Sequence, residues 1–347
     1  MTYEELSKLA QKYLSNKPVI ILGTGTTIPY GLPSMKQLAD ELLLKIRLAK
    51  SNPDYDLWER FKKDLKVTTD LEKSLHNIEL TQELLNTVVQ NSWEIINKKD
   101  FELYYSLLSN PQINTFVGLL KYFLRTATPQ IDIITTNYDR FAEYSSELAN
   151  ANTYLGFTHG LIGRFVANLN ENAKLYFPSR NSQVNIYKVH GSLDWFSDIN
   201  DIPVSIPLAD RIPTDFKPAI VTPGITKYRK THEDPFRTIM ALSDQAIIKS
   251  SAILCIGYGF NDEHVQPKLI KVVKEKSIPI IVITKVLSDS AKTILLNDFC
   301  KKVLLIEEAT TDSSKIYTSD EKTGFTLDKY KLWTIEGFKP LIMGTEE

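Results

Sequence analysis

The strongest constraint on the fold lies between Pro18 and Leu48. There an apolar strand, Pro18 to Leu22, runs directly into a glycine turn and then into a helix predicted from about Ser34 to Leu48. The turn reads Gly23-Thr24-Gly25-Thr26-Thr27 and continues to Gly31-Leu32-Pro33. Glycines at such a place let the backbone bend tightly and approach a pyrophosphate, which the start of the following helix also favours. Taken alone, a Gly-x-Gly turn equally marks a tight strand-to-helix connection.

Three further segments share this layout. One apolar run ends in Thr135-Thr136-Asn137-Tyr138-Asp139, and a second ends in Val189-His190-Gly191-Ser192. The third, Ala252 to Ile256, ends in Gly257-Tyr258-Gly259-Phe260-Asn261-Asp262. In an open parallel sheet the C-terminal strand ends share one edge, so these polar groups converge on the crevice where such sheets bind ligands. The runs Ile131–Thr135, Ile186–Val189, Ala252–Ile256, Pro279–Ile283 and Lys302–Ile306 are mostly apolar on both faces, the pattern of a parallel sheet covered by helices.

Taken together, Gly-x-Gly-x-Thr with Gly-Leu-Pro, Thr-Asn-Tyr-Asp and His-Gly-Ser, in this order, resemble the sirtuin superfamily, and more closely its bacterial SIR2-like, NAD-cleaving branch. The resemblance covers roughly residues 15–310. It implies an α/β fold, a Rossmann-like parallel sheet of sirtuin type, with NAD as the substrate. Deacetylating sirtuins carry zinc on four cysteines, usually two Cys-x-x-Cys pairs. This chain has only Cys255 and Cys300, each among apolar residues, so no metal and no zinc-binding lobe are expected.

Size and charge fit this reading. A chain of 347 residues, 43% hydrophobic, can bury a sizeable core. Its 41 basic and 42 acidic residues nearly cancel, so direct nucleic-acid binding is not expected. No apolar run approaches the ~20 residues that span a bilayer. Met-Thr-Tyr-Glu-Glu-Leu lacks the basic-then-apolar pattern of a signal peptide, so the expectation is a cytoplasmic protein without membrane contact.

Residues 1–310 are expected to form the SIR2-like NAD-binding and catalytic domain, preceded at 3–15 by a short helix. A helical insertion occupies about 50–128, where Leu57, Phe61, Leu65, Leu84, Val88, Trp93 and Ile96 fall at helical spacing and read as core. Ser197 to Lys230 reads as an extended, proline-rich excursion. Residues 311–347 form a C-terminal tail in which Tyr330, Leu332, Trp333, Ile335 and Phe338 nearly alternate, either a hairpin or an oligomer or partner contact, unless Trp333 and Phe338 pack back onto their own domain.

By the resemblance, Asn137 and His190 are the catalytic pair. Asn137 contacts the nicotinamide ribose or the attacking water, for which a neutral amide that both donates and accepts is suited; its alternative is to cap a helix starting near Tyr138. His190 takes a proton from a ribose hydroxyl or water. His159-Gly160 repeats the His-Gly pair, but His190 has the better-matched strand and sequel. The expected cofactor-binding residues are Gly23, Thr24, Gly25, Thr26, Thr27, Gly31 and Pro33 in the first loop, and Thr136 and Asp139 in the second. Gly257, Tyr258, Gly259 and Asp262 belong to the third. Asp139 either touches a ribose or serves the loop's structure, and Asn261 and Asp262 either accept a ribose hydroxyl or cap the next helix. Ser34-Met35 stands where deacetylating sirtuins have Phe-Arg, so the lining of a nicotinamide pocket does not carry over.

The function implied is NAD glycohydrolysis to nicotinamide and ADP-ribose, serving antiphage defence by NAD depletion. The alternatives are an NAD-dependent protein deacylase and a non-catalytic NAD or ADP-ribose sensor. An unrestrained enzyme of this kind poisons its host. The resemblance therefore implies gating by homo-oligomerisation or by a co-encoded HerA-like ATPase, nucleotide pyrophosphatase-like protein or short Argonaute.

Overall fold

The structure is a computed structural model and describes residues 1–68, 71–125, 129–166, 182–221, 233–262 and 264–344. Its strands, in chain order, are β1 (Val19–Leu22), β2 (Gln130–Thr135), β3 (Asn152–Tyr154), β4 (Gly163–Arg164), β5 (Gln183–Lys188), β6 (Gly191–Ser197) and β7 (Pro203–Ser205). They continue as β8 (Lys217–Ile220), β9 (Ile253–Ile256), β10 (Ile280–Ile283), β11 (Val303–Thr310), β12 (Ser313–Thr318) and β13 (Phe325–Leu327).

Nine strands form one sheet in the order β13-β12-β11-β10-β9-β1-β2-β5-β3. From β3 to β11 every pairing is parallel, and β12 and β13 add an antiparallel edge. The period of two along each strand divides the core into two. Ile20, Leu22, Ile133, Ile186, Leu254 and Ile281 enter one buried cluster, whereas Val19, Ile21, Ile134, Cys255, Ile280 and Val282 enter the other. That is why these runs are apolar on both faces: helices cover both. The chain leaves β1 for β2 on one side and returns through β9 on the other, so the switch in strand order lies at the C-terminal end of β1.

The predicted helical insertion forms the helices Tyr55–Thr68, Leu71–Asn77, Gln82–Ser109 and Phe116–Leu124. Its Trp58, Phe61, Leu65, Val88 and Trp93 share one core cluster with sheet residues, so the insertion is part of the main body. The long helix begins where the Thr81 hydroxyl accepts the Leu84 amide at 3.2 Å, and it ends before Asn110-Pro111. Part of the expected excursion after Ser197 folds into a second, four-stranded sheet, β4-β7-β6-β8; residues 222–230 lie outside the described residues.

The expected boundary at 310 is not a boundary. Strand β11 runs up to it and pairs with β12 just beyond it, with Leu304 opposite Thr318 and Ile306 opposite Ile316. The near-alternation after Tyr330 resolves into the helix Ile335–Met343, whose start is capped by the Thr334 hydroxyl accepting the Gly337 amide at 3.0 Å. Phe338, Leu341 and Ile342 are buried against the chain's own helices Tyr3–Tyr13 and Phe116–Leu124. Tyr330 stacks on Tyr3 with centroids 4.5 Å apart, and the Ser7 hydroxyl donates to the Leu341 carbonyl at 2.6 Å. The tail therefore closes onto its own domain, and Phe338 is not an exposed anchor for a partner.

Candidate active site

At the C-terminal end of β1 a cavity of about 450 Å³ opens between the predicted loops. Gly23, Thr24, Thr27 and Pro33 line it from the first loop, Thr136, Asn137 and Asp139 from the second, His190 from the turn after β5, and Tyr258, Gly259 and Asp262 from the loop after β9. Segments far apart in sequence thus share one crevice, the arrangement expected of an open α/β sheet.

Gly25, Thr26, Gly31 and Gly257 were grouped with them in the sequence but do not line the cavity. Their geometry shows another task. The Gly23 amide donates to the Ile256 carbonyl and the Gly25 amide to the Gly257 carbonyl, both at 3.0 Å, and the Thr26 hydroxyl donates to Ile256 as well. A Cβ on Gly23 would lie 2.4 Å from the Gly257 oxygen, and one on Gly257, whose φ is +57°, would lie 2.2 Å from the Thr26 nitrogen. These glycines press two loops together, and in this structure the Gly23 and Gly25 amides are engaged by protein rather than offered to a phosphate. Gly31 ends the turn at Ile28–Tyr30 in the left-handed region, with open space around it.

Asn137 is buried and held by the first loop: its Nδ2 donates to the Gly23 carbonyl at 3.2 Å, and its backbone amide donates to the Thr135 hydroxyl at 3.1 Å. With the amide so oriented, Oδ1 is left buried without a protein partner. Asn137 is not a helix cap, because the helix begins only at Phe141; Asp139 accepts the Phe141 amide at 3.1 Å instead.

Burial pushes the Asp139 carboxyl up to about 6, with Asp100 adding to the rise and Lys188 opposing it. Lys188, itself fully buried, donates to the Asp139 carbonyl and pairs with Glu143 at 2.8 Å.

His190 sits in the tight turn joining β5 to β6. Its Nε2 stands 2.9 Å from Asp262 Oδ2, although off the direction in which a ring N–H would donate. The other carboxylate oxygen, Oδ1, accepts the amides of His264 at 3.0 Å and Val265 at 2.8 Å, where the helix Val265–Lys276 starts. Of the two readings left open by the sequence, the helix cap is the one seen for Asp262, and the same carboxylate also meets His190. His159, the other His-Gly histidine, lines a separate cavity beside Glu143 and Glu147. His232 lies outside the described residues.

Sequence reasoning missed an apolar wall made by Leu32, Met35, Leu38 and Ile96, together with Thr68 and Tyr138. Ile96 and Thr68 come from the insertion, whose return onto the site has no local signal. Met35 and Leu38 begin a helix capped by Ser34, which forms a capping box with Gln37, so the Ser34-Met35 departure from deacetylating sirtuins is a helix start.

Also unforeseen was the support behind the Asn137 loop. Arg140, 1% exposed, donates from Nη1 to Asp100 at 2.6 Å and Asn97 at 3.1 Å, and from Nε to Asp194 at 2.5 Å. Trp93 donates its indole N–H to the Leu193 carbonyl at 2.9 Å. Among the described residues no group of three or more His, Cys, Asp or Glu side chains is placed to hold a metal ion, and no helix is long and apolar enough to cross a membrane.

Fold and crevice together define a protein of the open, parallel-sheet α/β class with its candidate site at the switch in strand order. Residues 132–285 match the family model described as SIR2-like domain, a span holding Asn137, His190 and Asp262. No curated protein matches the chain. Similar solved structures include a Sir2 homolog–NAD complex, 13% identical, with 88% of each chain covered and a TM-score of 0.43. A Sir2 homologue variant in complex with ADP-ribose is 15% identical, covering 85% of this chain and 94% of that one, with a TM-score of 0.45.

Proposed function

We propose that this chain is an NAD glycohydrolase that splits NAD into nicotinamide and ADP-ribose. The observation that carries the reading is the buried, unpartnered Oδ1 of Asn137 in a crevice it shares with His190, since a buried polar atom without a partner is uncommon unless a ligand or water completes it. Cleavage of the nicotinamide–ribose bond passes through an oxocarbenium-like state. A catalyst must hold the ribose, shield the anomeric carbon and position water. Asn137 Oδ1 accepts a ribose hydroxyl or the water, while Nδ2 stays on Gly23. His190 takes the proton from that hydroxyl or water. Thr24 and Thr27 contact the pyrophosphate side of NAD, and Leu32, Met35, Leu38 and Ile96 give the nicotinamide end an apolar, water-excluding wall.

With two cysteines, both buried, the chain has no sulfur shell for the zinc of a deacetylating sirtuin, which favours hydrolysis over deacylation. The resemblance further supports a role in antiphage defence, with activity gated by self-assembly or by a co-encoded partner of the kinds named above. Purified protein supplied with NAD, alone and with the products of neighbouring genes, should release nicotinamide, and Asn137→Ala and His190→Ala should each lower turnover by ~10²-fold or more while the chain stays folded. Acyl-lysine peptide turnover that depends on NAD would overturn the hydrolase reading. Binding of NAD without nicotinamide release under all conditions would favour the sensor.

A further inference from the structure

We infer that Asp262 is the positioning residue of His190, setting which ring nitrogen carries the proton and leaving Nδ1 as the base; this rests on the hydrolase reading above. The carboxylate is fixed by the backbone, because Oδ1 accepts the amides of His264 at 3.0 Å and Val265 at 2.8 Å where the helix Val265–Lys276 starts. That bond pair leaves Oδ2 directed to His190, 2.9 Å from Nε2, with both side chains buried at the edge of one crevice. A carboxylate oxygen only accepts, so the neutral imidazole facing it is stabilised with its proton on Nε2 and its lone pair on Nδ1. The His264 ring stands edge-on to His190, with ring centroids 6.4 Å apart. Catalytic hydrogen bonds are often poorly aligned until the reacting complex forms, so the off-line N–H direction does not remove the pairing.

Substitution separates the two jobs of Asp262. In Asp262→Asn the side-chain oxygen still caps the helix, as asparagine caps about as well as aspartate. Its Nδ2 then faces His190, and donor against donor drives the imidazole proton to Nδ1. In Asp262→Ser the cap is kept but the reach to His190 is lost. The chain has five histidines, so ¹⁵N-histidine NMR, with His190 assigned by its loss in His190→Ala, reads the tautomer directly.

At a pH where the imidazole is neutral, the wild-type protein should show His190 protonated on Nε2, Asp262→Asn on Nδ1, and Asp262→Ser a mixture. With NAD, Asp262→Asn should lower kcat by ~10²-fold or more with KM little changed, the sign of an interaction made in the transition state. A wild-type His190 protonated on Nδ1, or a tautomer unmoved by Asp262→Asn, overturns the inference. The NMR result stands whether or not the chain cleaves NAD, so failure of the hydrolase reading is seen separately, as absent nicotinamide release by the wild-type protein.

Discussion

Arg140 and Asp100 form a fully buried ion pair, Nη1 to Oδ2 at 2.6 Å, that ties the residue after the Asn137 loop to the long helix of the insertion. Asp100 binds Arg140 a second time, accepting its backbone amide at 2.7 Å, and also accepts the Tyr144 hydroxyl at 2.6 Å. The loop is thereby held by side chain and backbone together.

Removing the cation leaves Asp100 and Asp194 buried beside an empty space. Breaking a buried pair from one side costs about 3–5 kcal/mol, so Arg140→Ala should lower unfolding free energy by about that much. Urea titration followed by circular dichroism measures it. A loss below about 1 kcal/mol would show that the network carries little of the fold.

Asp139 predicts a pH dependence of stability. Its folded value of about 6 lies above the ordinary 3.8, so the folded chain binds a proton more tightly than the unfolded one. Stability contributed by this group falls as pH rises from about 4 to about 6, and above that the full penalty, on the order of 3 kcal/mol, applies. Asp139→Asn, which still accepts the Phe141 amide, should remove this part of the slope. Melting curves for both proteins between pH 4 and 7 that ran parallel would refute the assignment.

Gly257→Ala and Gly31→Ala separate close approach from backbone strain. Both positions have positive φ, but a Cβ at Gly31 meets nothing within 4 Å, whereas one at Gly257 lands on Thr26 and Gly25. Gly31→Ala should cost about 1 kcal/mol, the left-handed penalty alone. Gly257→Ala should cost clearly more and also weaken NAD binding, measurable by calorimetry. Equal costs at the two sites would contradict the contact between the loops.

Phe338→Ala probes the closed tail. Its ring is fully buried, and emptying such a site costs about 3–5 kcal/mol. An unchanged denaturation midpoint would return the tail to the role of a free partner contact.

The strands were legible because parallel strands covered on both sides must be apolar throughout, and the shared crevice was legible because polar residues cut those runs short at one common edge. Asn137 and His190 stand out for that reason. The wall from Leu32 to Ile96 was not legible, since Ile96 reads as an ordinary core position on a helix and only the path of the insertion brings it to the crevice. Arg140 escaped notice for the opposite reason: a charged residue beside a loop motif reads as solvated, and nothing local announces two acids waiting for it. The tail stayed open between packing back and reaching a partner because Leu332, Trp333, Ile335 and Phe338 mimic a strand period, while the cap at Thr334 that starts a helix falls inside that pattern.

Trp93, Ile96, Asn97 and Asp100 occupy positions i, i+3, i+4 and i+7 of the helix Gln82–Ser109, hence a single stripe. One of them lines the crevice, one fastens the strand after His190, and two grip Arg140 behind Asn137. A helix is stiff along its axis, so these four footholds travel together. Any tilt or axial slide of this rod would loosen the crevice wall and the turns that carry Asn137 and His190 in a single stroke, which makes its solvent-facing back, at Glu94 and Lys98, a handle on the whole crevice.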